Sequence, residues 1–124
     1  MPTPHEEISE HGWTVEYVPH EVIADSNACY RVRFEGDLIY PPAAETLGIP
    51  TDEIWISEKW RKYERFILYH ELREIEHRHA GCDTTTAHRL AERDERALWR
   101  DNPRWRLMND EWDEGRAHLP FPHE

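Results

Sequence analysis

Hydrophobic and polar positions alternate along the first half of the chain and gather into helical stripes along the second. Trp13 to Val18 alternates weakly around Val15 and Tyr17. Cys29 to Phe34 alternates more clearly, with Tyr30, Val32 and Phe34 on one face and Arg31 and Arg33 on the other. Gly36 and Asp37, after Glu35, predict a turn into Leu38, Ile39 and Tyr40. Pro41 and Pro42 then end regular pairing, because proline cannot donate to a ladder. A helical turn over Ala43 to Leu47 comes after them, and Glu53 to Ser57 reads as a further short strand with Ser57 placed to cap a helix beginning at Glu58.

No Gly or Pro interrupts Glu58 to His79, which predicts one long helix ending at Gly81. Trp60, Tyr63, Phe66, Ile67, His70, Glu74 and His77 fall on about one face of it, while Leu68, Leu72 and Ile75 stripe the opposite side. A helix with two apolar faces is packed on both sides, so the polar groups on those faces need partners. Asp83 or Thr84 can cap a second helix that runs to about Arg100 and is stopped by Asn102 and Pro103. Ala87, Ala91 and Leu98 mark its inward face, with His88 at the edge. Trp105, Leu107, Met108 and Trp112 suggest a short third helix, and Pro120 and Pro122 a loose tail beyond Gly115. The expected class is α+β: a small, mainly antiparallel sheet packed on a long helix that is followed by a second helix.

The 124 residues suit a single domain, 1–124, with flexible ends at about 1–10 and 116–124. No apolar run approaches the ~20 residues of a membrane helix, and the N-terminus lacks the basic and apolar regions of a signal peptide, so a soluble cytoplasmic protein is expected. The net charge of -11 argues against nucleic acid as a partner, since phosphate binding requires a basic face. Almost all the basic residues are Arg, the only lysines being Lys59 and Lys62. Cys29 and Cys82 have neither a disulfide framework nor finger spacing and read as reduced structural thiols.

The residues that can carry chemistry lie at the end of the long helix. His70 and Glu74, four residues apart, emerge one above the other and can reach one ion, while Glu71 lies about 100° around the helix, beside that ion. His88 on the second helix can complete the set. His77 is a possible hydrogen-bonding neighbour or alternative ligand, but seven residues separate it from His70, about 10.5 Å along the axis. Glu92 and Glu95, at i+4 and i+7 from His88, can reach the same ion or pair with Arg89, Arg93 or Arg96. The bland alternative for His70 and Glu74 is a solvated face paired with Arg73 and Arg78. It conflicts with the apolar stripe that His70 continues. Trp55, Trp60, Trp99, Trp105 and Trp112 read mainly as core.

The run His70-Glu71-Leu72-Arg73-Glu74, followed by Ala87-His88-Arg89-Leu90-Ala91-Glu92, resembles the zincin metallopeptidases. Their helix carries HExxH, and a later helix brings the third ligand. Here Glu replaces the second histidine and His stands at the later position, which exchanges the order within a His, His, Glu set. The resemblance covers about Ile54 to Glu95. It implies His70, Glu74 and His88 as metal ligands, Glu71 as general base toward a metal-activated water, and Zn²⁺, or another divalent transition metal, as cofactor. It also implies a peptide or protein substrate, for which the strand Glu53 to Ser57 would be the natural edge to pair with. Two other readings stay open. One is a non-catalytic metal-binding or regulatory protein. The other is a di-metal carboxylate protein assembled as a dimer, using Glu74-x-x-His77 with Glu92 and Glu95 opposite.

Overall fold

In the computed structural model, which describes residues 3–24 and 26–116 and gives 113–116 as helix backbone alone, four strands form one sheet. The strands are β1 (Thr14–Val18), β2 (Ala28–Phe34), β3 (Asp37–Ile39) and β4 (Glu53–Ser57), in the order β1-β4-β2-β3. β2 pairs antiparallel with both β3 and β4, whereas β1 runs parallel to β4 in the register Thr14↔Glu53 to Val18↔Ser57. The sheet is therefore mixed. A parallel pair needs a long crossover, and the connection from β1 to β4 contains the whole β2–β3 hairpin together with α2 (His20–Ile23) and α3 (Ala43–Leu47).

This order corrects one expectation with functional weight. β4 lies between β1 and β2 and has both sides occupied, so it offers no free edge to a peptide.

The predicted long helix is two elements. Ser57 does act as a cap, its Oγ accepting from the Lys59 backbone N–H at 3.2 Å, but the first element is a 3₁₀ helix over Glu58–Tyr63, and the α-helix proper, α4, is Glu64–His79. Ser57 is completely buried and its hydroxyl also meets His20 Nδ1 at 2.8 Å. Trp60 Nε1 donates to Asn27 Oδ1 at 2.8 Å, which binds the 3₁₀ segment to the start of β2. Tight turns of three residues suit such short connecting stretches, where side-chain anchoring outweighs the weaker backbone geometry.

α4 has two packed sides, as its stripes require. Leu68, Leu72 and Ile75 are buried against Tyr30, Val32 and Ile54 of the sheet. Phe66 and Ile67 are buried with Trp99, Trp105 and Met108, contributed by α5 (Thr84–Trp99) and α6 (Pro103–Arg116). The other sheet face is covered by α2 and α3, where Ile23, Cys29, Ala44 and Ile49 close a smaller cluster. Both cysteines are free, and burial, followed by the charge of Glu71, pushes the Cys29 thiol up to about 12.

Two further expectations change. Part of the segment expected to be a flexible end folds as α1 (Pro4–Glu10), capped by Thr3, with Ile8 buried in the main core and Glu7 paired with Arg73 of α4 at 2.8 Å. Leu98, assigned to the inward face of the second helix, is 52% exposed. Ala87 and Ala91 are buried as expected, and the row continues through Glu95 and Trp99 at strict i+4 spacing. The tail expected over 116–124 lies outside the described residues beyond Arg116.

Candidate metal centre

The link between α4 and α5 sets the geometry of the site. Gly81 takes φ 109°, a left-handed conformation that favours glycine, its N–H donates to the Arg78 carbonyl, and the Cys82 N–H reaches back to the His77 carbonyl. This double bond pattern stops a helix while satisfying its last carbonyls. Two residues later Asp83 caps α5, its Oδ1 accepting from the Thr86 N–H at 2.7 Å. Arg78 closes the corner by donating to Thr84 Oγ1 at 2.9 Å and to the Tyr40 carbonyl at 3.2 Å. With the turn fixed in this way, α5 lies along α4 and His88 faces His70.

Three atoms converge there. His70 Nε2 is 3.0 Å from His88 Nδ1 and 3.2 Å from Glu74 Oε2, and His88 Nδ1 is 3.5 Å from that same oxygen. Ligands about 2.0–2.2 Å from a tetrahedral zinc stand about 3.3–3.6 Å from one another, so the triangle is close to one face of such a tetrahedron and a few tenths of an ångström tighter on its two shorter sides. Among the described residues these three form the group whose donor atoms could share one ion.

The remaining polar atoms of His70 and Glu74 are hydrogen-bonded to buried side chains, and that of His88 lies beside a half-exposed carboxylate. His70 Nδ1 lies 2.6 Å from Glu95 Oε2, His88 Nε2 lies 3.3 Å from Glu92 Oε1, and Glu74 Oε1 accepts from the Tyr30 hydroxyl at 2.9 Å. A carboxylate can only accept, so Glu95 requires the proton of His70 on Nδ1 and leaves the Nε2 lone pair facing Glu74. A lone pair opposite a carboxylate oxygen needs a positive centre between them, either a second proton or a metal ion. The electrostatics of the cluster express that demand. Burial alone disfavours imidazolium at His70, yet the hydrogen-bonding carboxylates of Glu74 and Glu95 outweigh it and hold the pKa well above 6.5. Burial likewise disfavours the Glu74 carboxylate, but His70 and His88 reverse this and bring its pKa down.

Glu71 is buried and lines a cavity of about 100 Å³ that His70 and His88 also border. Desolvation, then the charge of Glu74, pushes its carboxyl up to about 8, against the pull of His70. The cavity lies under α6, which contributes Met108, Asn109 and Trp112 to its wall. His88, with a side chain 49% exposed, stands at the solvent side of the cluster.

Other sequence candidates are placed elsewhere. His77 turns to Asp94, with Nε2 2.7 Å from Oδ2, and so takes part in an ion pair between α4 and α5 rather than joining Glu74. Glu92 and Glu95 contact the histidines and stand behind them. Trp60, Trp99 and Trp105 are buried core residues, while Trp112 borders the cavity. Tyr30 escaped the reading of the sequence, where it counted only as an apolar strand position. The usable signal was its hydroxyl, since a tyrosine on a buried strand face needs a hydrogen-bond partner.

Comparison with protein-family models, with curated proteins and with solved structures finds no match. No described helix is long and apolar enough to cross a membrane.

Proposed function

We propose that the protein is a metal-dependent hydrolase of the zincin-like type, acting on amide bonds, with His70, Glu74 and His88 as metal ligands and Glu71 as general base. The observation that carries this reading is the doubly determined ligand set. Three donor atoms converge, the far atoms of His70 and Glu74 are fixed by hydrogen bonds to Glu95 and Tyr30, and Glu92 lies beside that of His88. Carboxylates behind metal-binding histidines fix the ring orientation and strengthen the donor nitrogen. A divalent ion, zinc above all, would supply Lewis acidity, polarising a carbonyl and making hydroxide accessible near neutral pH.

The protein's own groups then divide the work. Two of the three ligands, His70 and His88, border the cavity, so an ion held there would be within reach of it, as a catalytic site requires and a closed structural site does not. Glu71, in the cavity wall and outside the ligand triangle, would be returned to its ionised form by the charge of the bound ion, and would then take the proton of the attacking water and deliver it to the leaving nitrogen. The carbon–nitrogen bond breaks, and a carboxylic acid and an amine are the products. The non-catalytic reading keeps the same ligands but gives Glu71 no task.

Metal content of protein purified without a metal-affinity tag, followed by hydrolysis assays on zinc-loaded wild type, Glu71→Gln and His70→Ala, separates the two. Glu71→Gln retains zinc and fold and loses hydrolysis, whereas His70→Ala loses zinc. Full hydrolysis by Glu71→Gln would overturn the mechanism, and zinc-loaded wild type inert toward a broad amide and peptide library would favour the non-catalytic reading.

A further inference from the structure

A carboxylate has two oxygens, and at Glu95 each meets a different helix. The side chain enters the core from α5 with only 7% of the residue exposed, so protein donors rather than bulk water must satisfy it. Oε2 lies 2.6 Å from His70 Nδ1 on α4, and Oε1 accepts from the indole Nε1 of Trp105 on α6 at 3.5 Å. The first of these bonds serves the metal centre. The second has no part in the proposed chemistry.

Trp105 is itself anchored. Asn102 caps the start of α6, its Oδ1 accepting from the backbone N–H of Arg104 at 2.9 Å and of Trp105 at 3.1 Å, and Arg104 Nη2 donates to the Lys62 carbonyl at 2.8 Å. The indole ring is buried in one cluster with Phe66, Ile67 and Trp99, and close packing of this kind fixes its direction. The terminal torsion of a glutamate is broad, so a carboxylate bound through one oxygen can turn. Bound through both, it presents Oε2 to His70 in one orientation. The indole bond is long, and what it contributes is direction more than strength.

We infer that Trp105 is a positioning residue for the metal centre, orienting the Glu95 carboxylate so that His70 turns Nε2 toward Glu74 and His88. This inference rests on the reading of His70 as a metal ligand. It ties α6 to the ion through Trp105, Glu95 and His70 in sequence.

Core packing alone would not make the effect of Trp105 depend on residue 95. Two N–H donors converge there, and only a carboxylate can accept each with a separate oxygen. A glutamine has one oxygen and an NH2 group, so one of its partners would face donor against donor. Removing the Trp105 N–H should therefore weaken the site of the wild type and relieve a conflict in Glu95→Gln.

The test measures zinc affinity of full-length protein by competition with a chromophoric chelator, for wild type, Trp105→Phe, Glu95→Gln, the double variant and Trp60→Phe. The last makes the same chemical change in the same buried cluster, but its indole donates to Asn27. Trp105→Phe should bind zinc about three- to tenfold more weakly, a smaller loss than for the carboxylate charge itself. Added to Glu95→Gln it should cause no further loss, a coupling that the cycle of variants isolates. Trp60→Phe should leave affinity unchanged. In the zinc-loaded wild type the His70 Nδ1–H proton should exchange slowly with water, and Trp105→Phe should speed that exchange.

Wild-type affinity in Trp105→Phe, an equal loss in Trp60→Phe, or the same loss on top of Glu95→Gln would overturn the inference. Should Trp105→Phe fail to fold, the wild type decides: zinc should shift the indole N–H resonance of Trp105 and leave that of Trp60 in place, and a stationary Trp105 resonance would overturn it equally. Zinc binding undiminished in His70→Ala would remove the metal reading itself. Loss of zinc in His70→Ala with no response to Trp105→Phe would remove only the positioning role.

Discussion

At the scale of single residues, the site depends on atoms that never touch the proposed metal. Glu95 is buried on α5 and holds His70 through Nδ1, so its carboxylate fixes which ring nitrogen faces Glu74 and His88. Glu95→Gln leaves an acceptor in place but removes the charge that strengthens the opposite nitrogen. Its zinc affinity should fall about 10- to 100-fold, as for other carboxylates behind ligating histidines, with the fold unchanged by circular dichroism. Competition with a chromophoric chelator measures this directly. An unchanged affinity would mean that His70 does not bind the ion. Tyr30 stands behind Glu74 in the same way, and Tyr30→Phe should weaken zinc binding in the same assay by removing its hydrogen bond to the carboxylate.

At the scale of elements, the site is an αα corner. His70 and His88 are 18 residues apart, and only the stop at Gly81 and the start at Asp83 bring them within 3.0 Å. Asp83→Ala removes the acceptor for the Thr86 N–H and should lower stability, as the loss of a helix cap does. Urea unfolding of chelator-treated protein, with a lower midpoint expected for the variant, checks this. Because the lost cap frays the turn ahead of His88, zinc affinity should fall as well, whereas a substitution on the solvent side of α5 away from the cap should leave it unchanged.

For the whole molecule, ligand burial couples metal binding to stability and to pH. In the metal-free protein His70 sits among Glu74, Glu95, Glu71 and His88, and its pKa is held above 6.5. Its contribution to stability is therefore full below 6.5 and is lost as pH rises through the raised value. Glu71, raised to about 8, acts with the same sign, contributing fully below its ordinary 4.5 and losing that contribution as pH rises through about 8. Glu74 is depressed, so its contribution is present above 4.5 and fades as the solution becomes more acidic. The melting temperature of chelator-treated protein should thus fall between pH 6.5 and about 8. Zinc competes with the proton on His70, so the zinc-induced rise in melting temperature should grow across the same range. Differential scanning calorimetry with and without zinc tests the opposed slopes, and parallel slopes would place the metal elsewhere.

Local pattern alone was enough for β2, for α4 and for the facing pair. Alternation fixed β2, two apolar stripes fixed α4 as a helix packed on both sides, and i,i+4 spacing put His70 and Glu74 on one face. These are local consequences of backbone periodicity, and so they are legible in a single chain. Only the tertiary structure decided which strand lies in the middle of the sheet, that Tyr30 reaches Glu74 from β2, and that Glu92 and Glu95 stand behind the histidines while His77 turns to Asp94. Each of these joins groups distant in sequence or chooses between partners that helical spacing allows equally. Strand order and side-chain pairing are set by how the apolar faces of all the elements close at once, and no window of sequence contains that choice.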